Sequence, residues 1–143
     1  MRRIIRLIVF AGLVGCSSTT STDSTNSDTS YLGAYTLISV NSLSLPAVVA
    51  QTASEKDEII SGTASLNADA TFSAVLTFRQ TIGVIATTIP SPTTGTYTHS
   101  NNSFALKDSG GGITNGTYGN HQLTVVVTGI SGLPPLNLVF QHN

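Results

Sequence analysis

Thr71-Phe72-Ser73-Ala74-Val75-Leu76-Thr77-Phe78 is the stretch on which the reading of this chain turns. Phe72, Ala74, Leu76 and Phe78 alternate with residues that mostly carry hydroxyls, a period of two that sets one face in a core and the other in water. A helix would need apolar residues three and four apart, and no segment from Tyr31 onward offers a convincing stripe of that kind. The same alternation places Leu123, Val125 and Val127 on one face, and then Leu136, Leu138 and Phe140 beyond the Pro134-Pro135 break. Tyr35 and Leu37 begin the series within residues 31–40.

Between these strands runs a loose internal repeat. Gly62-Thr63 leads to a turn around Asn67 to Ala70 and then Phe72; Gly95-Thr96-Tyr97 leads to Asn101-Asn102 and then Phe104; Gly116-Thr117-Tyr118 leads to Asn120 and then Leu123. Each reads as a hairpin, because Asn and Asp tolerate left-handed backbone and bond their own chain. Consecutive hairpins make an antiparallel up-and-down meander. About eight short strands in roughly 110 residues predict an all-β domain closed into a barrel, which removes exposed sheet edges; a β-sandwich is the alternative. The second face of the strands is largely Thr, Ser and Asn, whereas a membrane-spanning barrel turns apolar side chains outward to lipid. The domain is expected to be soluble.

The chain has 143 residues, room for one small domain once its first 30 are set aside. Residues 1–15 read as an export signal, with Arg2, Arg3 and Arg6 ahead of an apolar run from Leu7 to Val14 that is too short to span a bilayer. The segment ends in Leu13-Val14-Gly15-Cys16, which resembles the lipobox of bacterial lipoproteins. That resemblance implies a diacylglyceryl group on the Cys16 thiol, cleavage before Cys16 and acylation of the new amino group, so that membrane lipid holds the chain through Cys16. Two or three acyl chains anchor firmly where one binds marginally. Ser17, in place of the aspartate that marks inner-membrane retention in that family, implies the outer membrane where the organism has one. Residues 17–30 are Ser, Thr, Asp and Asn alone; nothing there can bury, and a flexible tether of about 20 Å mean span is expected. The organisation is thus signal 1–15, lipidated Cys16 with a tether to residue 30, and a barrel domain over 31–143.

Without its signal the chain keeps Lys56, Arg79 and Lys107 against seven Asp and Glu, a balance of −4 that argues against a nucleic-acid partner. A single cysteine excludes an internal disulfide, so burial and sheet hydrogen bonds must hold the domain together.

Gly33-Ala34-Tyr35-Thr36-Leu37, followed by Val40-Asn41, Leu45-Pro46, the Gly-Thr-Tyr hairpins and the closing Leu138-Val139-Phe140, resembles the lipocalin-like domains of many bacterial lipoproteins. Gly33-Ala34-Tyr35 is also similar to the Gly-x-Trp opening of true lipocalins. The resemblance implies a barrel that carries a small hydrophobic ligand, and inward Tyr35, Phe72, Phe78, Tyr97, Phe104, Tyr118 and Phe140 are the candidate lining. If those side chains fill the interior instead, the domain is a structural or interaction protein whose loops meet an envelope protein partner.

A catalytic reading finds no support. His99, His121 and His142 lack zinc spacing and read as surface or turn residues. Gly129-Ile130-Ser131-Gly132 falls short of a nucleophile elbow and reads as a turn, and Gly110-Gly111-Gly112 lacks the Lys and helix of a phosphate loop. Glu55, Asp57 and Glu58 match no calcium loop and read as a solvated loop. No enzyme, metal or cofactor is expected. The apolar residues 43–50 and 82–89 are core strands or the border of a barrel mouth.

Overall fold

The computed structural model describes residues 29–143; the signal, Cys16 and the tether as far as residue 28 lie outside them. Ten strands follow one another: β1 (Gly33–Val40), β2 (Leu43–Ser44), β3 (Ala47–Gln51), β4 (Glu55–Leu66), β5 (Thr71–Ile82), β6 (Ile85–Ser100), β7 (Ser103–Asp108), β8 (Ile113–Gly119), β9 (Gln122–Val127) and β10 (Leu136–His142). They form a single antiparallel sheet in the order β2-β1-β10-β9-β8-β7-β6-β5-β4-β3, and pairing of β1 with β4 closes it into an eight-stranded barrel with β2 and β3 as extras. The fold is the all-β meander expected, and the barrel rather than the sandwich.

All three repeats are hairpins: β4–β5, β6–β7 and β8–β9. Their turns carry left-handed residues at Ala70, Asn101, Asn120 and His121, two of them the asparagines the repeat supplies. In the first turn the Asp69 carboxylate accepts hydrogen bonds from the Thr71 amide (3.1 Å) and hydroxyl (2.6 Å), which fixes the start of β5.

The strands are not uniformly short. β6 has 16 residues, yet β7 pairs with it only from Gly95 to Ser100, so residues 85–94 have β5 on one side and no strand on the other. On the other side of the hairpin, β3 pairs with β4 and β4 with β5 out to Glu55 opposite Ile82. A four-stranded flap made of β3, β4, β5 and β6 therefore extends past the rim of the barrel. Pro90 and Pro92 are compatible with that position because a proline in a strand needs its nitrogen turned to a free edge.

The acidic cluster is a strand, not a loop. Glu55, Asp57 and Glu58 all lie on β4, and Glu58 is buried. Opposite-charge neighbours make this tolerable: Lys56 Nζ stands 3.0 Å from one carboxylate oxygen, and Arg79, its cross-strand partner on β5, reaches the other at 2.7 Å. The Arg79 and Lys56 hydrogen bonds hold the Glu58 carboxyl below the usual range, so it stays ionised and fastens β4 to β5. Gly110 to Gly112 lies in the β7–β8 connection, and the turn expected at Gly129 to Gly132 lies in the β9–β10 connection.

The core runs through the barrel axis, from Tyr35 and Leu37 on β1 through Ile59, Leu66 and Leu123 to Leu136, Leu138 and Phe140 on β10. The meander puts the β4–β5, β6–β7 and β8–β9 turns at one end, together with the start of β1 and the end of β10. The opposite end collects the β5–β6, β7–β8 and β9–β10 connections. These two ends differ in kind.

Candidate functional site

The turn-side end is closed by aromatic rings. Tyr31, just ahead of β1, is buried and touches Tyr97 (6.2 Å between centroids), Phe104 (5.1 Å) and Tyr118 (6.5 Å), rings carried by β6, β7 and β8. A side chain that meets three strands around the circumference lies across the end of the barrel. Tyr35 completes the cluster edge-on to Tyr118 and to the His142 ring, and His99 stacks on Phe104. Edge-to-face pairs of this kind stabilise beyond the area they bury.

Three hydroxyls of the cluster donate to backbone, while that of Tyr31 lies 3.3 Å from His99 Nδ1. Tyr35 donates to the Tyr31 carbonyl, Tyr118 to the Ser30 carbonyl at 2.8 Å, and Tyr97 to the Asn67 carbonyl at 2.6 Å. His142 Nε2 lies 2.9 Å from the Leu32 carbonyl, close enough to donate when it carries the proton. Burial, then the neighbouring phenols, raises the Tyr35 phenol well above its ordinary value; burial and then Tyr31 push Tyr97 up to about 12. Both stay protonated and keep donating at any physiological pH. Residues 30–32 are thereby bolted across the floor.

Toward the other end the same interior is open. A cavity of about 330 Å3 lies inside, walled by Phe72, Leu76 and Phe78 of β5, Leu106 of β7, Val125 of β9 and Phe140 of β10. Its cause is legible in the sheet register. Cross-strand rows on β4, β5 and β6 read Ala64, Ala74 and Thr93, then Gly62, Leu76 and Ser91. The first row is small throughout where the floor holds tyrosines, which leaves room in the chamber, while in the second Leu76 and Leu37 close over Gly62. Glycine at 62 is required there: a Cβ would stand 2.9 to 3.0 Å from Leu76 and Leu37. A few polar groups punctuate the wall, among them Thr93, Thr114 and Asp108; the Asp108 carboxylate accepts the Gly112 amide at 2.9 Å.

Above this chamber a second space of about 510 Å3 lies between the flap and the β9–β10 connection, bordered by Ala50, Asp57, Gln80, Ile89, Ile130 and Leu133. Phe78, Ser91 and Ile130 border both spaces, which places the second as a vestibule of the first. The vestibule border carries Glu55, Asp57 and Gln80, with Glu55 held by Gln80 Nε2 at 2.7 Å. The size and the mostly apolar wall suit one small molecule with a hydrophobic body.

Of the seven aromatic residues expected as lining, Phe72, Phe78 and Phe140 border the chamber. Tyr35, Tyr97, Phe104 and Tyr118 point inward as expected but form the closed floor instead, because their register sets them at the turn-side end. Sequence reasoning missed Tyr31, whose one signal is that it is the first large apolar residue after the polar tether, and it missed the aliphatic wall. Of the residues given as mouth or core strands, Ala50 and Ile89 border the vestibule, while Leu43, Ile82 and Ile85 are exposed. Among the described residues no three His, Cys, Asp or Glu converge as metal ligands. No family model, curated protein or solved structure matches this chain, so its chemistry is read from the barrel alone.

Proposed function

We propose that this chain is a lipid-anchored envelope lipoprotein whose barrel takes up one small hydrophobic ligand. The observation that carries the ligand reading is the apolar chamber of about 330 Å3 above a closed aromatic floor. A barrel that served only as a scaffold would gain stability by filling that space, since an empty apolar cavity forfeits packing roughly in proportion to its volume. The anchor reading rests on the ordered sequence of basic start, apolar run, small residue and Cys16, and the outer-membrane address on Ser17.

Native mass spectrometry of the protein, extracted gently from its own membranes, tests both readings at once. The expected result is a chain beginning at an acylated Cys16 that also carries a discrete mass removable by organic extraction. Ala74→Phe, which fills the chamber from the middle of β5, is expected to lose that mass while keeping the acyl groups and the melting temperature. Absence of any extractable mass, with no uptake of the apolar dye N-phenyl-1-naphthylamine, would overturn the ligand reading and leave the interaction protein. A chain that begins elsewhere, or bears no acyl group, would overturn the anchor.

A further inference from the structure

Three well-exposed apolar residues, among them the two most exposed of the described chain, gather at one point. Ile82, Val84 and Ile85 form the tip of the β5–β6 hairpin and are 55%, 99% and 69% exposed. Gly83 turns the chain there with a left-handed backbone, and its amide donates to the Ser54 carbonyl at 2.9 Å, which ties the tip to the β3–β4 turn. No Asp, Glu, Lys or Arg occurs anywhere between Arg79 and Lys107. A neutral apolar knob on a long hairpin calls for an occupant.

We propose that this tip enters the surface of a neutral lipid bilayer and sets the mouth of the chamber against the membrane. Shape and area argue against a protein partner: a standard interface takes about 20–30 residues a side, and the tip offers three apolar side chains on a narrow projection. Strand addition by a partner is opposed as well, since Pro90 and Pro92 remove donors from the free edge of β6. Shallow burial in lipid needs neither a flat patch nor a complementary surface. Charge selects the lipid. Glu55 stands opposite Ile82 in the sheet and Asp57 two pairs further in, while Lys56 between them is already paired to Glu58, so an anionic surface repels the carboxylates behind the tip.

Register continues the tip into the barrel. On the inward face of the hairpin the pairs run Ile82 with Ile85, Gln80 with Thr87, Phe78 with Ile89, then Leu76 with Ser91 inside the chamber. A tip held in lipid therefore places the vestibule at the membrane surface. Insertion itself rests on the exposed tip and holds whether or not the chamber carries a ligand.

The chain has no tryptophan, so Val84→Trp in the full chain gives a single reporter at a position where nothing is displaced. With vesicles of phosphatidylcholine the emission is expected to shift blue and to be quenched at least twofold by brominated acyl chains. The effect should weaken when phosphatidylglycerol is mixed in. Thr98→Trp, exposed at the far end of the same strand, is expected to remain in water. An unshifted, unquenched Val84→Trp would overturn the proposal. So would a blue shift that appears without vesicles and grows with protein concentration, which would mean that a second copy covers the tip. Dye uptake by the same variant, read separately, reports the chamber.

Discussion

Gly95 sits where β6 takes up its pairing with β7, opposite Asp108, and the register leaves it no room for a side chain. A Cβ built there would stand 2.0 Å from the Lys107 carbonyl oxygen and 2.8 Å from the Phe72 ring. Neither neighbour yields easily, since one is backbone and the other is packed in the chamber wall. Gly95→Ala is therefore expected to lower stability by about 1–3 kcal/mol or more, the usual penalty for forcing atoms into a filled core. Gly119→Ala is the control: it lies in β8 with nothing within 4 Å of the added atom and should change stability little. Thermal unfolding followed by circular dichroism compares the two. The Gly-Thr-Tyr repeat marked Gly95 as the start of a hairpin, but spacing alone gave no sign that the glycine is needed for close approach rather than for a turn.

β6 carries the tension between a long strand and a short partner. Its residues 85–94 present a free edge, and a free edge invites another strand to pair. Pro90 and Pro92 answer this by removing two N–H groups from that edge. Replacing both with Thr restores the donors and raises β-propensity, so the Pro90→Thr, Pro92→Thr double variant is expected to associate through β6. Sedimentation velocity across a concentration series would show this as a larger species that the natural chain lacks; identical profiles would sink the idea. The element scale also marks the limit of sequence reading. Alternation exposes which residues face inward, as it did for Phe72, Phe78 and Phe140, because side chains switch faces at every step. It is silent on height along the barrel, which depends on which residue pairs with which. Tyr35, Tyr97, Phe104 and Tyr118 share the inward face yet lie at the floor, a distinction that only the register makes. The reach of β5 and β6 past the rim was equally hidden, for it follows from where β7 stops pairing with β6.

At the scale of the whole molecule the two ends of the barrel differ in kind, and the proposed anchor and the proposed tip insertion together set a demand on the chain that can be tested. Residues 30–32 are fixed across the closed floor by the Tyr35, Tyr118 and His142 contacts, so any anchor at Cys16 pulls on that end. The hairpin tip lies at the other. β6 spans 16 residues, about 50 Å along the strand and about 40 Å along the axis at a usual barrel tilt. Twelve residues separate Cys16 from Thr29, and a chain of that length reaches at most about 45 Å in any conformation. Anchor and tip can therefore engage one bilayer together, with the barrel upright on its tip and the tether drawn out along it. Deleting residues 18–27 cuts the reach to about 11 Å and holds the floor against the membrane. In lipidated protein carrying Val84→Trp, that deletion is expected to abolish quenching by brominated lipid in dilute vesicles while leaving the chain membrane-bound. Quenching that persists unchanged would mean that the tip reaches the bilayer without help from the tether's length, as in a barrel lying along the surface, and would overturn the upright arrangement.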